Sequence, residues 1–119
     1  MTRKECLDLA AECVLQDRNS QYGEPEDSFG VIANFWSVYL GRKIAPVDVA
    51  VMMALLKIAR IKGNKSYADG YVDLAGYAAC AAESAPLKLY PWQEEVMAAG
   101  RKPEARAEGC EELSVPVKE

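Results

Sequence analysis

The chain of 119 residues contains no histidine. This absence excludes Ser/His/Asp and Cys/His nucleophilic sites, histidine-ligated zinc and the usual general base of neutral pH. Any catalysis would therefore depend on carboxylates, Lys, Arg, Tyr, Cys or a bound metal ion. The 4 cysteines form no Cys-x-x-Cys pair, which disfavours a zinc or thioredoxin-type motif, and we interpret them as small apolar side chains.

Long apolar runs and an excess of basic residues are also missing. No run reaches about 18 apolar residues, so we expect no membrane span. The N-terminal residues lead into an amphipathic pattern and not into a signal sequence, which predicts a cytoplasmic protein. The net charge of −4 and the pI of about 4.9 disfavour binding along a long nucleic acid but allow a small nucleotide in a local pocket.

Apolar residues recur at helical spacing along the first 100 residues, and no segment shows sustained alternation, which predicts an all-α fold. Four main helices are expected from their start and stop signals. The first begins with a Thr2/Glu5 capping box and ends near residues 17–19, the second runs from Pro25 to Gly41, the third from Pro46 to a Gly63 cap, and the fourth from a Ser66/Asp69 capping box to Pro86. A short fifth helix is predicted over residues 93–99.

The order of these helices indicates a single domain over residues 1–100, followed by a charged, flexible tail over residues 101–119. Short connections between four helices favour an up-down four-helix bundle. The third helix is apolar on nearly all sides over residues 47–56, and the fourth is rich in alanine. We therefore expect a homo-oligomer whose interface runs through the third and fourth helices.

Two helices carry the polar residues that are most informative about chemistry. Asp69, Asp73 and Tyr77 are each four residues apart and share one face of the fourth helix, while Lys57 and Arg60 share one face near the end of the third. If the two helices are antiparallel, two cations lie beside two carboxylates. Oxygen ligands suit Mg²⁺, and Arg and Lys suit phosphate oxygens, so the mixture predicts a site for phosphate with a metal ion.

Other candidate residues lie earlier in the chain, and each has a simpler explanation as well. Arg18 stands near Tyr22-Gly23, Glu26 and Asp27 begin the second helix, and the rings of Tyr22 and Trp36 offer flat surfaces to a base. Helix capping, dipole effects and an interhelical salt bridge would account for the charges taken singly, and Trp36 also fits the apolar stripe of its helix.

A set of motifs resembles an uncharacterised domain of tailed phages and prophages. The resemblance covers residues 18–83, and its motifs follow in order: Arg18-x-x-x-Tyr22-Gly23, Pro25-Glu26-Asp27-x-Phe29, Ile32-Ala33-x-x-Trp36, Asp48-Val49-Ala50, Lys57-Ile58-Ala59-Arg60 and Asp69-x-x-x-Asp73-Leu74-Ala75-Gly76-Tyr77-Ala78. It implies a phage-encoded protein acting in the cytoplasm of the host cell, and it brings no activity with it.

A more distant likeness is to phage domains associated with nucleotide modification and, through them, to the MazG-like and dimeric dUTPase-like all-α pyrophosphohydrolases. Those enzymes are helical oligomers that hold Mg²⁺ with Glu-x-x-Glu and Glu-x-x-Asp on neighbouring helices, and the metal activates water for attack on the phosphate chain. In this sequence Lys57 and Arg60 stand where Glu-x-x-Glu is expected, and only Asp73 matches the metal-binding aspartate.

The sequence leaves three functions open. The first is a Mg²⁺-dependent pyrophosphohydrolase acting on (deoxy)nucleoside triphosphates or a modified nucleotide. The second is a protein that binds a nucleotide or nucleotide-derived signal without hydrolysis, for example to counter host defence. The third is a structural helical oligomer. For the first two, the expected catalytic residues are Asp73 and Asp69, the metal ligands Asp73, Asp69, Glu26 and Asp27, and the nucleotide-binding residues Arg18, Tyr22, Gly23, Trp36, Lys57, Arg60 and Tyr77.

Overall fold

The computed structural model describes residues 1–17 and 25–100, with side chains described for all of these except residues 16, 17 and 25–27. Within these residues the chain is helical and has no strand, which confirms the all-α prediction for this part of the sequence. Five α-helices follow one another: α1 (Arg3–Glu12), α2 (Pro25–Leu40), α3 (Pro46–Gly63), α4 (Ala68–Ser84) and α5 (Pro91–Ala99). A π-helical turn, Cys13–Asp17, extends α1.

The residues group into two compact units, Met1–Pro86 and Leu87–Glu119. The first unit contains α1 to α4, and the described part of the second contains α5. The single domain over residues 1–100 stays a prediction, and the tail predicted over residues 101–119 lies outside the described residues. None of the described helices combines the length and the hydropathy that crossing a bilayer requires.

Most helix boundaries follow the signals in the sequence. Thr2 Oγ1 accepts a hydrogen bond from the Glu5 amide at 3.0 Å, and Glu5 Oε1 accepts one from the Thr2 amide at 2.7 Å, so the predicted capping box is present. Helix α2 begins at Pro25 as expected, and it ends at Leu40 because Gly41 adopts φ +70, a left-handed conformation that glycine tolerates.

Two predicted caps are wrong. Gly63 is the last residue of α3 and not its C-cap. The C-cap is Asn64, whose backbone is extended, so α3 ends without a residue in the left-handed conformation. Helix α4 begins one residue later than a Ser66 cap would give, with Tyr67 as its N-cap and no side-chain cap hydrogen bond. Ser66 instead donates its amide to Asn64 Oδ1 at 3.2 Å, inside the turn between the helices.

The core of the first unit lies where α2, α3 and α4 meet. Its buried members are Phe29, Ala33, Val49, Ala50 and Cys80, and partly buried apolar residues surround them, among them Val14 from the π-helical turn. Helix α4 packs against α3, α2 and α1. Burial of Cys80 agrees with the interpretation of that thiol as a small apolar side chain.

Close approach of α3 and α4 is made possible by glycine. A Cβ added at Gly70 would lie 2.7 Å from Ile61 Cγ1, and one added at Gly76 would lie 3.0 Å from Val14 Cγ1. The first value is shorter than real contacts between carbon atoms, so α3 could not lie as near to α4 with a side chain at Gly70. At these two positions the small residues of α4 therefore serve packing within the chain.

Candidate functional site

The polar end of the first unit is formed by the last turns of α3 and the first turns of α4. Lys57 and Arg60 are three residues apart on α3, and they belong to a run of basic residues that suits the negative end of the helix dipole. Asp69 lies in the first turn of α4, where a carboxylate suits the positive end. Local helix electrostatics thus favour each charge where it stands.

An ion pair joins the two helices at this end. Lys57 Nζ lies 2.9 Å from Asp73 Oδ2, and the two side chains are 15% and 35% exposed. Because Ile61 of α3 also lies against Gly70 of α4, residues earlier in α3 meet residues later in α4. The two helices are therefore antiparallel, and the cations and carboxylates lie at similar heights, as the sequence predicted.

A cavity of about 240 Å³ opens beside this ion pair, and we call it the cation cavity. It is lined by Lys57, Arg60, Asn64, Tyr67, Asp69 and Gly70. The residues come from the last turns of α3, the connecting turn and the start of α4. Two cations and one carboxylate therefore face a single concave surface, so its side chains carry a net positive charge in an acidic protein.

The start of α4 adds backbone donors to the cation cavity. The first amide groups of a helix have no partner within it, and side chains or ligands usually satisfy them. Tyr67, the N-cap of α4, makes no side-chain cap hydrogen bond. The partial positive charge of this helix end and the side chains of Lys57 and Arg60 therefore act on the same cavity.

The row Asp69, Asp73 and Tyr77 is divided between two cavities. Asp69 lines the cation cavity, whereas Asp73 and Tyr77 line a smaller cavity of about 140 Å³ together with residues of α4 and Cys13 and Val14 of the π-helical turn. The division follows from the ion pair, because Lys57 occupies the space beside Asp73. The Tyr77 ring also contacts Phe29, with ring centroids 6.2 Å apart.

Metal binding by carboxylates has limited support in this part of the chain. Among the residues that the structure describes, no group of three or more Cys, Asp or Glu side chains is placed to hold a metal ion. Asp69 and Asp73 remain as two carboxylates on one helix, the second engaged by Lys57. The side chains of Glu26 and Asp27, expected as further ligands, lie outside the described residues.

Of the remaining residues predicted to bind a nucleotide, Trp36 is the one that the structure describes. Trp36 packs against the apolar core and is not among the residues that line either cavity described so far. Arg18, Tyr22 and Gly23 lie outside the described residues. Their roles in binding a nucleotide stay predictions.

Three residues of the cation cavity were missed by the sequence analysis: Asn64, Tyr67 and Gly70. The first two belong to the connecting turn, where the placement of a side chain depends on the path of the backbone and not on a periodic pattern. Gly70 could have been recognised from the sequence, since a glycine in a helix interior often marks a place where another element packs closely against the helix. It stands directly after Asp69 on the helix that had been singled out.

Comparison with known proteins places this chain among phage proteins. It is 43% identical over 74 residues to the Gene 55 protein of Mycobacterium phage D29, covering 62% of this chain and 49% of that protein. It is 44% identical over 73 residues to the Gene 55 protein of Mycobacterium phage L5, covering 60% of this chain and 47% of that protein. The chain thus spans about half the length of the curated relatives it matches.

The family match includes the residues of the polar end of the first unit as well as those of its core. No solved structure matches the chain. The model of a domain of unknown function, DUF6378, matches residues 5–85, which include most of α1, all of α2 to α4 and every residue that lines the cation cavity. On this evidence the chain belongs to the DUF6378 family.

Proposed function

We propose that the cation cavity binds the phosphate groups of a nucleotide or nucleotide-derived small molecule. The observation that carries the proposal is the meeting of Lys57, Arg60 and the start of α4 on one cavity. Arg presents a planar set of donors that matches phosphate oxygens, and Lys adds a compact positive charge. Amides at the start of a helix are a third common source of phosphate contacts.

The volume of the cavity fits part of a nucleotide. Sites for whole small molecules measure roughly 300–1,000 Å³. The cation cavity, at about 240 Å³, therefore has room for phosphate groups, and the rest of a nucleotide would extend beyond it.

Asp69 indicates the form in which the ligand binds. A carboxylate repels a bare phosphate, but its oxygen is a suitable ligand for Mg²⁺. We infer that a nucleotide binds as its Mg²⁺ complex, with Lys57 and Arg60 on phosphate oxygens and Asp69 toward the metal ion that the nucleotide brings.

Binding without hydrolysis is favoured over pyrophosphohydrolysis. The MazG-like enzymes that this chain distantly resembles hold Mg²⁺ with carboxylates from two neighbouring helices, whereas α3 presents Lys57 and Arg60 at that place. The described residues include no group of three carboxylates or thiols for a metal ion. Capture of a nucleotide or nucleotide signal, for example against a host defence, is the biological role that suits such a site.

Titration calorimetry with the Mg²⁺ complex of tripolyphosphate tests this proposal. Arg60→Gln removes one cation of the cavity, and the expected loss is about tenfold in affinity, since a charge-assisted hydrogen bond is worth roughly 1.5–3 kcal/mol. Lys62→Gln is the matched control, because Lys62 is an exposed cation of the same helical turn that does not line the cavity. Equal losses in the two variants, or no saturable binding by the wild type, would contradict the proposal.

The second candidate is the Mg²⁺-dependent pyrophosphohydrolase. It is supported by Asp69 and Asp73, four residues apart on α4 and next to the cations of α3. It predicts release of pyrophosphate from nucleoside triphosphates in the presence of Mg²⁺, abolished by Asp73→Ala. Tight binding of an unchanged nucleotide by the wild type would contradict it and support capture.

We also propose that the protein is a homo-oligomer, and the exposed apolar side chains indicate where. Val31, Phe35 and Val38 of α2 are 57%, 72% and 83% exposed, and Val51 and Leu55 of α3 are 46% and 58% exposed. Each set recurs at helical spacing, so two neighbouring helices of the first unit each present an apolar stripe.

These stripes differ from the predicted interface. The sequence predicted an interface through α3 and α4, but among described residues the only large apolar side chain of α4 that is exposed is Tyr71. A second copy that covered α2 and α3 would remove the stripes from water and complete a bundle from two chains. Sedimentation velocity is expected to give a dimer that Phe35→Glu dissociates, whereas a monomeric wild type would contradict the interface.

A further inference from the structure

A larger cavity of about 450 Å³ shares Tyr67 with the cation cavity as a lining residue. It is formed between the start of α1 and the start of α4, and we call it the tyrosine cavity. Arg3 and Cys6 line it from α1, and Tyr67 and Tyr71 line it from α4 and its N-cap. Its volume lies within the range of roughly 300–1,000 Å³ that is usual for small-molecule sites.

The two cavities are neighbours on the first unit. Tyr67 lines both, and the tyrosine cavity continues along the chain on either side of it with Ser66 and Ala68. A nucleotide needs such a pair of neighbouring spaces, because its phosphate groups require cations and its base requires a flat apolar surface. The cation cavity alone is smaller than a usual ligand site, whereas the tyrosine cavity supplies the missing space.

The ring of Tyr71 is held in place by the turn that precedes α4. Tyr71 Oη donates a hydrogen bond to the Lys65 carbonyl at 3.1 Å. Tyr71 is 41% exposed, so part of the residue remains accessible to a ligand while its hydroxyl group is held. A positioned aromatic face of this kind stacks on a nucleobase at little entropic cost, since few rotatable bonds remain to be fixed.

We propose that the tyrosine cavity binds the nucleoside part of the ligand whose phosphate groups occupy the cation cavity, with the base stacked on Tyr71. This inference rests on the proposed function. It assigns to one ligand two cavities that are both lined by Tyr67, and it makes the start of α1 part of the binding site.

The polar groups of the tyrosine cavity indicate which bases it favours. Arg3 and Lys65 carry groups that only donate hydrogen bonds, the Ser66 hydroxyl can donate or accept, and the residues that line this cavity include no Asp or Glu. Carbonyl oxygens of a base accept from such groups, whereas exocyclic amino groups need acceptors. Guanine, thymine and uracil present carbonyl oxygens where adenine and cytosine present an amino group, so the cavity favours nucleotides with keto bases.

Calorimetry with two kinds of probe separates this inference from the proposed function. The Mg²⁺ complex of tripolyphosphate reports the cation cavity alone, and the Mg²⁺ complexes of GTP, TTP, ATP and CTP report both cavities. We expect GTP or TTP to bind about tenfold more tightly than tripolyphosphate, because stacking on one aromatic ring contributes about that factor. ATP and CTP should gain less.

Two variants locate the gain in the tyrosine cavity. Tyr71→Leu should reduce the affinity for GTP and TTP to that for tripolyphosphate and leave the tripolyphosphate affinity unchanged. Tyr71→Phe keeps the ring and removes only the hydrogen bond to Lys65, so it should retain most of the gain. Arg3→Gln, at an exposed residue of the first turn of α1, should narrow the difference between keto and amino bases without affecting the fold.

The outcomes are distinct. Equal affinity for nucleotides and tripolyphosphate, or an equal loss of both in Tyr71→Leu, overturns the inference and leaves the proposed function standing. A preference for ATP and CTP overturns the assignment of keto bases. Absence of binding by every probe overturns the proposed function and the inference together.

Discussion

Two Lys–Asp ion pairs of the first unit differ in their exposure to water: one lies within α1 and the other joins α3 to α4. Lys4 and Asp8 form a pair at 2.6 Å on one helix, four residues apart, with side chains 84% and 62% exposed. Lys57 and Asp73 form a pair at 2.9 Å between two helices, with side chains 15% and 35% exposed. The exposed pair is the shorter of the two, yet water surrounds it on most sides.

The comparison teaches that exposure and connectivity, and not distance, decide what an ion pair does. A pair within one helix in water adds little to stability because solvent and salt screen it. A pair between helices fixes their register, and its partly desolvated charges act more strongly on anything that approaches. Lys57 also lines the cation cavity, so the interhelical pair stands beside a place where a ligand would bind.

The largest effect is expected from removing the interhelical cation. Lys57→Met leaves Asp73 without its partner in a partly buried position, at an expected cost of about 1–3 kcal/mol in the free energy of unfolding. Lys4→Met, at the exposed pair, should leave the thermal midpoint unchanged within error. A double-mutant cycle of Lys57→Met with Asp73→Asn, followed by denaturant unfolding, measures the coupling, and a cycle without coupling would refute the distinction between the pairs.

A smaller effect is expected from the glycine that brings the two helices together. Gly70→Ala places a Cβ 2.7 Å from Ile61 Cγ1, and the strain should exceed the gain in helix propensity by about 1 kcal/mol. Gly30→Ala is the control, because nothing lies within 4 Å of the added Cβ, and it should stabilise α2 by about 0.5–1 kcal/mol. Thermal melts of the two variants should therefore shift in opposite directions; equal shifts would contradict the close approach.

Local signals were sufficient to predict much of the fold but only part of the site. The Thr2/Glu5 box, the proline at the start of α2 and the glycine after it each act within a few residues, so the sequence identifies them. The cations of α3 were expected beside the carboxylates of α4 because a short turn between two long helices permits an antiparallel arrangement, and the structure pairs Lys57 with Asp73. Their meeting needed only helix spacing and the position of that turn.

The rest depends on contacts that are distant in the sequence. The N-cap of α4 is Tyr67 and not Ser66, whose amide donates to Asn64 Oδ1, and Tyr67 lines both cavities. The tyrosine cavity combines the start of α1 with the start of α4, which no periodic pattern reveals. The exposure of Phe35 likewise depends on which side of α2 the other helices cover.

Helix α1, which carries the exposed Lys4–Asp8 pair, begins with a capping box whose contribution to stability can be measured. Thr2→Ala removes the acceptor for the Glu5 amide and should cost about 0.5–1 kcal/mol in helix stability, as usual for an N-cap. Thr2→Ser keeps the hydroxyl and should retain the stability. Circular dichroism measures the thermal unfolding midpoint of both variants. An unchanged midpoint in Thr2→Ala would show that the cap contributes nothing to the stability.

The smallest expected effect is a pH dependence of the same box. Hydrogen bonds from the Thr2 backbone and side chain lower the pKa of Glu5 below its ordinary value of 4.5. The stabilisation is therefore complete above pH 4.5 and is lost as the pH falls through the lowered pKa. Glu5→Gln keeps a hydrogen-bonding side chain and should flatten this part of the stability profile, whereas an identical profile in wild type and variant would contradict the assignment.

The central claim is that phosphate groups bind where Lys57, Arg60 and the start of α4 meet. Titration of the ¹⁵N-labelled protein with the Mg²⁺ complex of tripolyphosphate, followed residue by residue by NMR, is the test of this claim. The account predicts saturable shifts of the amide signals of Ala68, Asp69 and Gly70, with the signals of Lys4 and Asp8 unmoved. Shifts spread over exposed basic residues, or largest at Lys4, would contradict it.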